Sequence, residues 1–207
     1  MSYNYSDTAI LVFCKAPVAG AVKTRLMPEL TAQAALDVHI ELTKRILGLL
    51  FKSQLCSIQV WCSPDMGHPF YQDCVDKYDV SLHQQQGNDL GERMFHAIDE
   101  ALKKSSRVLL IGCDCPSLTI ADLDFAINAL QQSNDIVISP AQDGGYVMIG
   151  MKQAYPELFI KMTWGHAGVF SATLQRIKQS TLNTIQTVMQ WDLDTFEDFK
   201  LYKNNKM

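Results

Sequence analysis

Short β-branched runs alternate with amphipathic stretches of helical period along nearly the whole chain, and this alternation is the strongest constraint on its fold. Thr8 to Cys14 suits a strand buried on both faces, and Thr31 to about Phe51 follows as a helix with Leu36, Ile40, Leu47 and Leu50 on one side. Ser57 to Cys62 and Val80 to Gln84 read as strands, with a short helix near Phe70 to Lys77 between them. Leu90 to Lys103 is a helix that buries Met94, Ile98, Ala101 and Leu102, and Val108 to Ile111 is the fourth strand. Ile120 to Gln132 is helical, and Asp135 to Ser139 and Gly145 to Met151 are strands. His166 to Lys178 is a helix, Thr184 to Met189 a strand, and Phe196 to Tyr202 a last helix capped by Asp194 or Thr195. Strands joined by crossover-length helices form a mainly parallel sheet covered on both faces, so a three-layer, Rossmann-like α/β/α fold is expected. The Asp-Gly-Gly turn at Asp143 is too short for a crossover helix, so the strands on either side of it should pair through an antiparallel edge.

A chain of 207 residues with 47% hydrophobic content can bury a core without disulfide or metal, and no linker divides it, so one domain over 1–207 is expected. Its net charge of -4 and lack of a lysine-arginine block argue against nucleic acid and for a small soluble ligand. The polar N-terminal stretch has no basic region, and no apolar run approaches the roughly 20 residues that span a bilayer. A cytoplasmic protein without membrane contact is therefore expected, and nothing in the pattern sets its oligomeric state. The six cysteines form no C-x-x-C pair and read as small reduced hydrophobes. Cys113 and Cys115 point the same way along an extended chain, with no further ligand evident beside them.

Arg107 to Leu118 (RVLLIGCDCPSL) delivers Asp114 to the end of the fourth strand, where Gly112 lets the chain turn and Pro116 forbids continuation. Ligands of open α/β sheets bind beyond the carboxyl ends of strands, which places Asp114 at a pocket mouth. Thr119, with Asp122 three residues on, is the better cap for the following helix, leaving Asp114 free.

The loop after the first strand carries Lys15, Lys23 and Arg25 with Gly20 among them, and no acidic residue lies between Asp7 and Glu29. Such a loop can wrap a di- or triphosphate, with Gly20 allowing close backbone approach; a solvated basic loop is the plain alternative. It is neither a P-loop nor a G-x-G-x-x-G turn, because the glycine spacing fails both. Asp143 opens a turn in which glycines serve an ordinary hairpin, and Asp192 and Asp194 follow the last strand with the two-residue spacing that aims both to one side when extended. Either could instead cap the final helix. Strand ends bearing carboxylates opposite one bearing cations suit a magnesium or manganese nucleotide-diphosphate complex: Asp114 with Asp192 or Asp194 on the metal, Asp143 on the sugar or acceptor side. Arg93 could meet a base or phosphate or pair with Asp89 or Glu92, and His166 could act as a base or acceptor contact or be merely solvated.

Five motifs in order carry a family resemblance: FCKAPVAGAVKTRL from Phe13, GNDLGERM from Gly87, GCDCP from Gly112, DGGY from Asp143 and DLDTFEDF from Asp192. From about Ile10 to Leu201 the chain resembles the bacterial nucleotide-diphospho-sugar transferases of the GT-A fold, some of them described as arsenosugar-biosynthesis glycosyltransferases. It is also similar in fold to molybdopterin guanylyltransferase and 2-phospho-L-lactate guanylyltransferase. The resemblance implies that Lys15, Gly20, Lys23, Arg25 and Arg93 bind the nucleotide. It also implies that Asp114 and Asp143 are catalytic, that Asp114 with Asp192 or Asp194 holds Mg2+ or Mn2+, and that Gly144, Tyr146, Trp164 and His166 face the acceptor. Cys113 departs from the family by standing where threonine or serine is common, and His166-Ala167 replaces a hydroxyl-bearing pair. Three functions remain open on these grounds: sugar transfer from a nucleotide diphosphate to a small acceptor, nucleotidyl transfer from a nucleoside triphosphate, and a non-catalytic nucleotide-binding module. Replacing Asp114 by alanine is expected to abolish metal-dependent nucleotide binding with little loss of stability.

Overall fold

The apolar runs become the strands of one seven-stranded sheet in a computed structural model that describes residues 3–204. In chain order the elements are β1 (Thr8–Lys15), α1 (Ala32–Ser53), β2 (Ser57–Ser63), α2 (Pro69–Tyr78), β3 (Ser81–Gln84), α3 (Leu90–Leu102) and β4 (Arg107–Gly112). Then follow α4 (Ile120–Gln131), β5 (Ile136–Pro140), β6 (Tyr146–Met151), α5 (Val169–Gln179), β7 (Thr184–Gln186) and α6 (Phe196–Asn204). The sheet order is β3-β2-β1-β4-β6-β5-β7.

Alternate residues of the central strands enter different cores, which is why these strands are apolar throughout. Ile10, Val12 and Cys14 pack on one face with Leu47, Leu50, Tyr71, Leu123 and Ile127 of α1, α2 and α4. Ala9 and Leu11 pack on the other with Met94, Ile98 and Ile177 of α3 and α5. The expected three layers are thus present. A third, smaller cluster joins Leu26, Val38 and Leu42 to Leu193 and Tyr202, and so fastens the loop after β1 to the segment before α6.

The antiparallel strand is not at an edge. β6 lies between β4 and β5 and runs against both, with Val108 opposite Met151 and Ile138 opposite Ile149. The short turn at Asp143 forces β6 back along β5, and its wholly apolar sequence lets it take an interior place that an edge strand would not need. Two boundaries also differ from expectation. α5 begins at Val169, because His166 to Gly168 form a turn, and β7 stops at Gln186, leaving Val188 and Met189 more than 60% exposed. Among the described residues no helix is long and apolar enough to cross a membrane.

Candidate functional site

The parallel strands end at one edge of the sheet, and β6 begins there, so Lys15, Asp114, Pro140 and Tyr146 are delivered to the same side. The segment before α6 joins them through backbone contacts. Ala141 bridges Gln190, Ser117 Oγ donates to the Trp191 carbonyl (3.2 Å) and accepts from its amide (3.0 Å), and the Leu193 amide donates to the Asp114 carbonyl (3.0 Å). This clamp carries Asp192 and Asp194 to Asp114. Helix caps leave the acids free: Thr119 and Asp122 form the capping box of α4, and Thr195 with Asp198 caps α6.

Lys23 lies at the centre of the charge cluster. Its backbone is left-handed (φ 48°), a conformation costing a lysine roughly 1 kcal/mol, and its side chain is only 5% exposed. Nζ stands 2.9 Å from Asp114 Oδ2 and 2.9 Å from Asp194 Oδ1, while Arg25 reaches Asp194 Oδ2 at 3.2 Å. The ammonium expected on a phosphate is thus turned onto the two carboxylates expected on a metal. Burial pushes the Lys23 pKa down, but Asp114 and Asp194 more than offset it and hold it above the usual lysine value. Burial likewise raises Asp114, and Lys23 overrides it to keep that carboxyl below the ordinary range.

Among the described residues Asp192 has no such partner. Burial, then Asp194, Asp114 and Asp143, push its pKa up to about 6. Between the ordinary carboxyl value of 3.8 and about 6 the folded chain holds a proton that the unfolded chain has lost, so Asp192 erodes stability as pH rises through that window. Asp192→Asn is therefore expected to melt higher than the parent at pH 7.5, by roughly 2–4 °C for about 1 kcal/mol after discounting the solvated part of the side chain. The gap should close below pH 4, and an equal or lower melting temperature at pH 7.5 would refute this electrostatic picture.

Two cavities open at this edge. The larger, about 540 Å³, is lined by Lys15, Lys23, Arg25, Arg93, Asp114 and Asp194, together with Phe13, Thr24, His39, Gln85 and Leu90. Arg93 pairs with neither Asp89 nor Glu92; its Nε donates to the Gly87 carbonyl at 3.0 Å, while Asp89 caps α3 and Glu92 accepts from Asn88. Gly20 turns at φ 82° and lies outside the cavity lining. The smaller cavity, about 170 Å³, lies among Asp143, Tyr146, Trp164, His166 and Met94, and shares Leu90 and Gly165 with the larger one. Tyr146 and Trp164 meet edge to face there, with centroids 6.4 Å apart. His166 Nδ1 accepts from the Gly168 amide (2.9 Å), and Asp143 Oδ1 accepts from the Gly145 amide (2.8 Å). Gly144 does not line this cavity; it is left-handed (φ 88°), and a Cβ there would come within 2.1 Å of the Ala167 carbonyl. Every expected site residue except Gly20, Gly144 and Asp192 lines one of the two cavities, and Asp192 lies near enough to Asp194, Asp114 and Asp143 to feel their charge.

Sequence reasoning missed His39, Ser117 and Gln85. His39, buried on α1, approaches the Lys15 carbonyl through Nε2 at 2.9 Å, and burial lowers its pKa. A ring nitrogen of His39 and the thiols of Cys14 and Cys113 all lie within 4.8 Å of one another. Cys113 therefore has the neighbours that its motif did not reveal, whereas Cys115 pairs with Ser117. All six cysteines are free and buried.

Residues 46–166 match the family model described as uncharacterized protein conserved in bacteria, DUF2064. The chain belongs to this family. No curated protein matches it by sequence. A solved structure from Desulfovibrio desulfuricans G20, provisionally assigned as a nucleotide-diphospho-sugar transferase, is 33% identical over 97% of this chain and 88% of its own, with a TM-score of 0.88. The 4-diphosphocytidyl-2C-methyl-D-erythritol synthase of Anaerococcus prevotii is 13% identical, covering 97% and 98% of the two chains (TM-score 0.61). Glucosyl-3-phosphoglycerate synthase from Mycobacterium tuberculosis, solved with Mn2+ and uridine diphosphate, is 8% identical over 94% of this chain and 75% of its own (TM-score 0.51). The DUF2064 chain thus has the fold shared by nucleotide-diphospho-sugar transferases and nucleotidyltransferases.

Proposed function

We propose that this protein is a metal-dependent glycosyltransferase that moves a sugar from a nucleotide diphosphate to a small acceptor. The observation that carries the reading is the pair of joined cavities, one ringed by cations with Asp114 and Asp194 on its wall, the other aromatic with Asp143 at its rim. The donor set suits a hard divalent ion, since Asp114 and Asp194 converge on the Lys23 ammonium and burial with the neighbouring carboxylates pushes Asp192 up. Asp114 and Asp194, together with Asp192, would hold Mg2+ or Mn2+, which supplies charge neutralisation for a departing diphosphate.

The chain's own groups supply the rest. Lys15, Arg25 and Arg93 face the larger cavity and stabilise negative charge as it builds on the leaving phosphates. Lys23 bridges Asp114 and Asp194 and holds them oriented before ligand arrives. Asp143 has Oδ1 committed to Gly145, which leaves Oδ2 to orient the acceptor hydroxyl and draw its proton. Tyr146, Trp164 and His166 form the acceptor wall. A second reading, nucleotidyl transfer from a nucleoside triphosphate, draws support from the number of cations around the larger cavity.

A thermal-shift panel of nucleotide sugars and nucleoside triphosphates, each with and without Mg2+ or Mn2+, separates these readings. A donor at 100 times its dissociation constant stabilises by about 2.7 kcal/mol, or roughly 5–11 °C for a chain of this size. Metal-dependent stabilisation by a nucleotide sugar is the expected result. Preference for a triphosphate transfers the proposal to nucleotidyl transfer, and silence across the panel removes both.

A further inference from the structure

Cys14 ends the inward-facing row of β1, Cys113 follows β4 beside it, and His39 comes down from α1, so three soft donors meet on the floor of the larger cavity. We propose that Cys14, His39 and Cys113 form a binding site for a thiophilic divalent ion of the zinc class, separate from the hard-cation site at Asp114 and Asp194. The three donor atoms lie within 4.8 Å of one another, and all three residues are buried. Zinc–sulfur bonds of about 2.3 Å and zinc–nitrogen bonds of about 2.0 Å place tetrahedral donors roughly 3.5–3.8 Å apart, so movements of about 1 Å bring the triangle to ligating size.

His39 is tied to the backbone through one ring nitrogen. The Lys15 carbonyl can only accept, so the 2.9 Å contact assigns the proton to Nε2 and leaves the lone pair on Nδ1. A metal-bound imidazole is commonly held this way by a carbonyl behind it. The Cys14 thiol leans on the same carbonyl at 3.4 Å and on Thr43 Oγ1 at 3.9 Å, contacts that a thiolate would exchange for the metal bond. Binding forms two sulfur–metal bonds and one nitrogen–metal bond and releases the two thiol protons to solvent. Three protein ligands leave a coordination position open, and because Cys14, His39 and Cys113 all line the larger cavity, that position faces it. Two thiolates and an imidazole select zinc-like ions, whereas magnesium and manganese prefer the carboxylates.

The test uses the whole reduced protein and metal alone, with no nucleotide, so its outcome is independent of the transfer reaction. Titration with Co2+ should give thiolate-to-cobalt charge-transfer absorption saturating at one equivalent, displaced by Zn2+ and unaffected by excess Mg2+. Calorimetry with Zn2+ should show the same single site with proton release. Cys14→Ser with Cys113→Ser should lose the absorption and weaken Zn2+ binding at least 100-fold, and His39→Gln should shift the cobalt d–d bands that report its coordination number. Absence of the charge-transfer band in the parent protein overturns the proposal without recourse to any variant. Persistence of the band in the double cysteine variant also overturns it, since the ion would then sit on other thiols.

Discussion

Asp114→Asn is expected to lower turnover by about 10³-fold and to abolish the Mn2+-dependent part of nucleotide binding. The carboxylate stands at the end of β4, tied through its own backbone carbonyl to Leu193 and through its side chain to Lys23. It is the acid that the sheet positions most rigidly, whereas Asp194 rides on the segment before α6. Loss of one preorganised charge that acts on the developing diphosphate costs about 10²–10³ in rate, and loss of a metal ligand adds to it. Stability is not spared, contrary to what the sequence suggested for a pocket-mouth aspartate. The Lys23 side chain is 5% exposed, so removing one of its two anions leaves a buried ammonium half-compensated, a cost of about 1–2 kcal/mol. Asparagine keeps the shape and confines the change to charge. Calorimetry with donor and Mn2+, beside a melting curve, reads both effects; parental Mn2+-dependent binding in the variant would remove Asp114 from the metal.

Lys23→Met should be the most destabilising single change at the site. The methionine fills the space of the lysine stem but leaves Asp114 and Asp194 facing each other, with Asp192 already strained by its neighbours. Removing one partner of a buried ion pair costs about 3–5 kcal/mol; with Asp114 and Asp194 each about a third exposed to solvent, about 2–3 kcal/mol is expected here, a fall of roughly 4–12 °C in melting temperature. Two independent signatures should accompany the fall. Lowering the pH from 7.5 to 5.5 should recover part of the loss, because unpaired carboxylates have raised pKa values and the folded variant takes up protons first. Millimolar Mn2+ should raise the variant's melting temperature more than the parent's, since the ion replaces the missing ammonium. A variant as stable as the parent, with no greater response to Mn2+, would show that the lysine is not the cation on which these acids depend.

Most strands and helices were legible because their signals are local. The run RVLLIG ended by Gly112 and the Thr119 and Asp122 box each act within a few residues, and each appears where the pattern placed it. Boundaries failed where a turn imitated a helix or strand. His166 to Gly168 carry the composition of a helix start but use His166 Nδ1 to close a turn, and Val188 and Met189 leave the ladder beside β5, which resumes its backbone bonds only at Gln190. The acids were legible as a group because strand ends bearing carboxylates are rare in apolar runs. Their partner was not, because the pairing of Lys23 with Asp114 and Asp194 spans most of the chain.

By itself the sequence determined the class of fold, the order of its elements and the edge at which chemistry collects, since these follow from short-range periodicity and from the places where strands stop. Only the tertiary structure decided that β6 runs inside the sheet and that Lys23 spans two carboxylates. It also decided that His39 meets Cys14 and Cys113 beneath the cavity. Each of these depends on which distant segments lie side by side, and that is set by sheet order and packing, which no local pattern encodes.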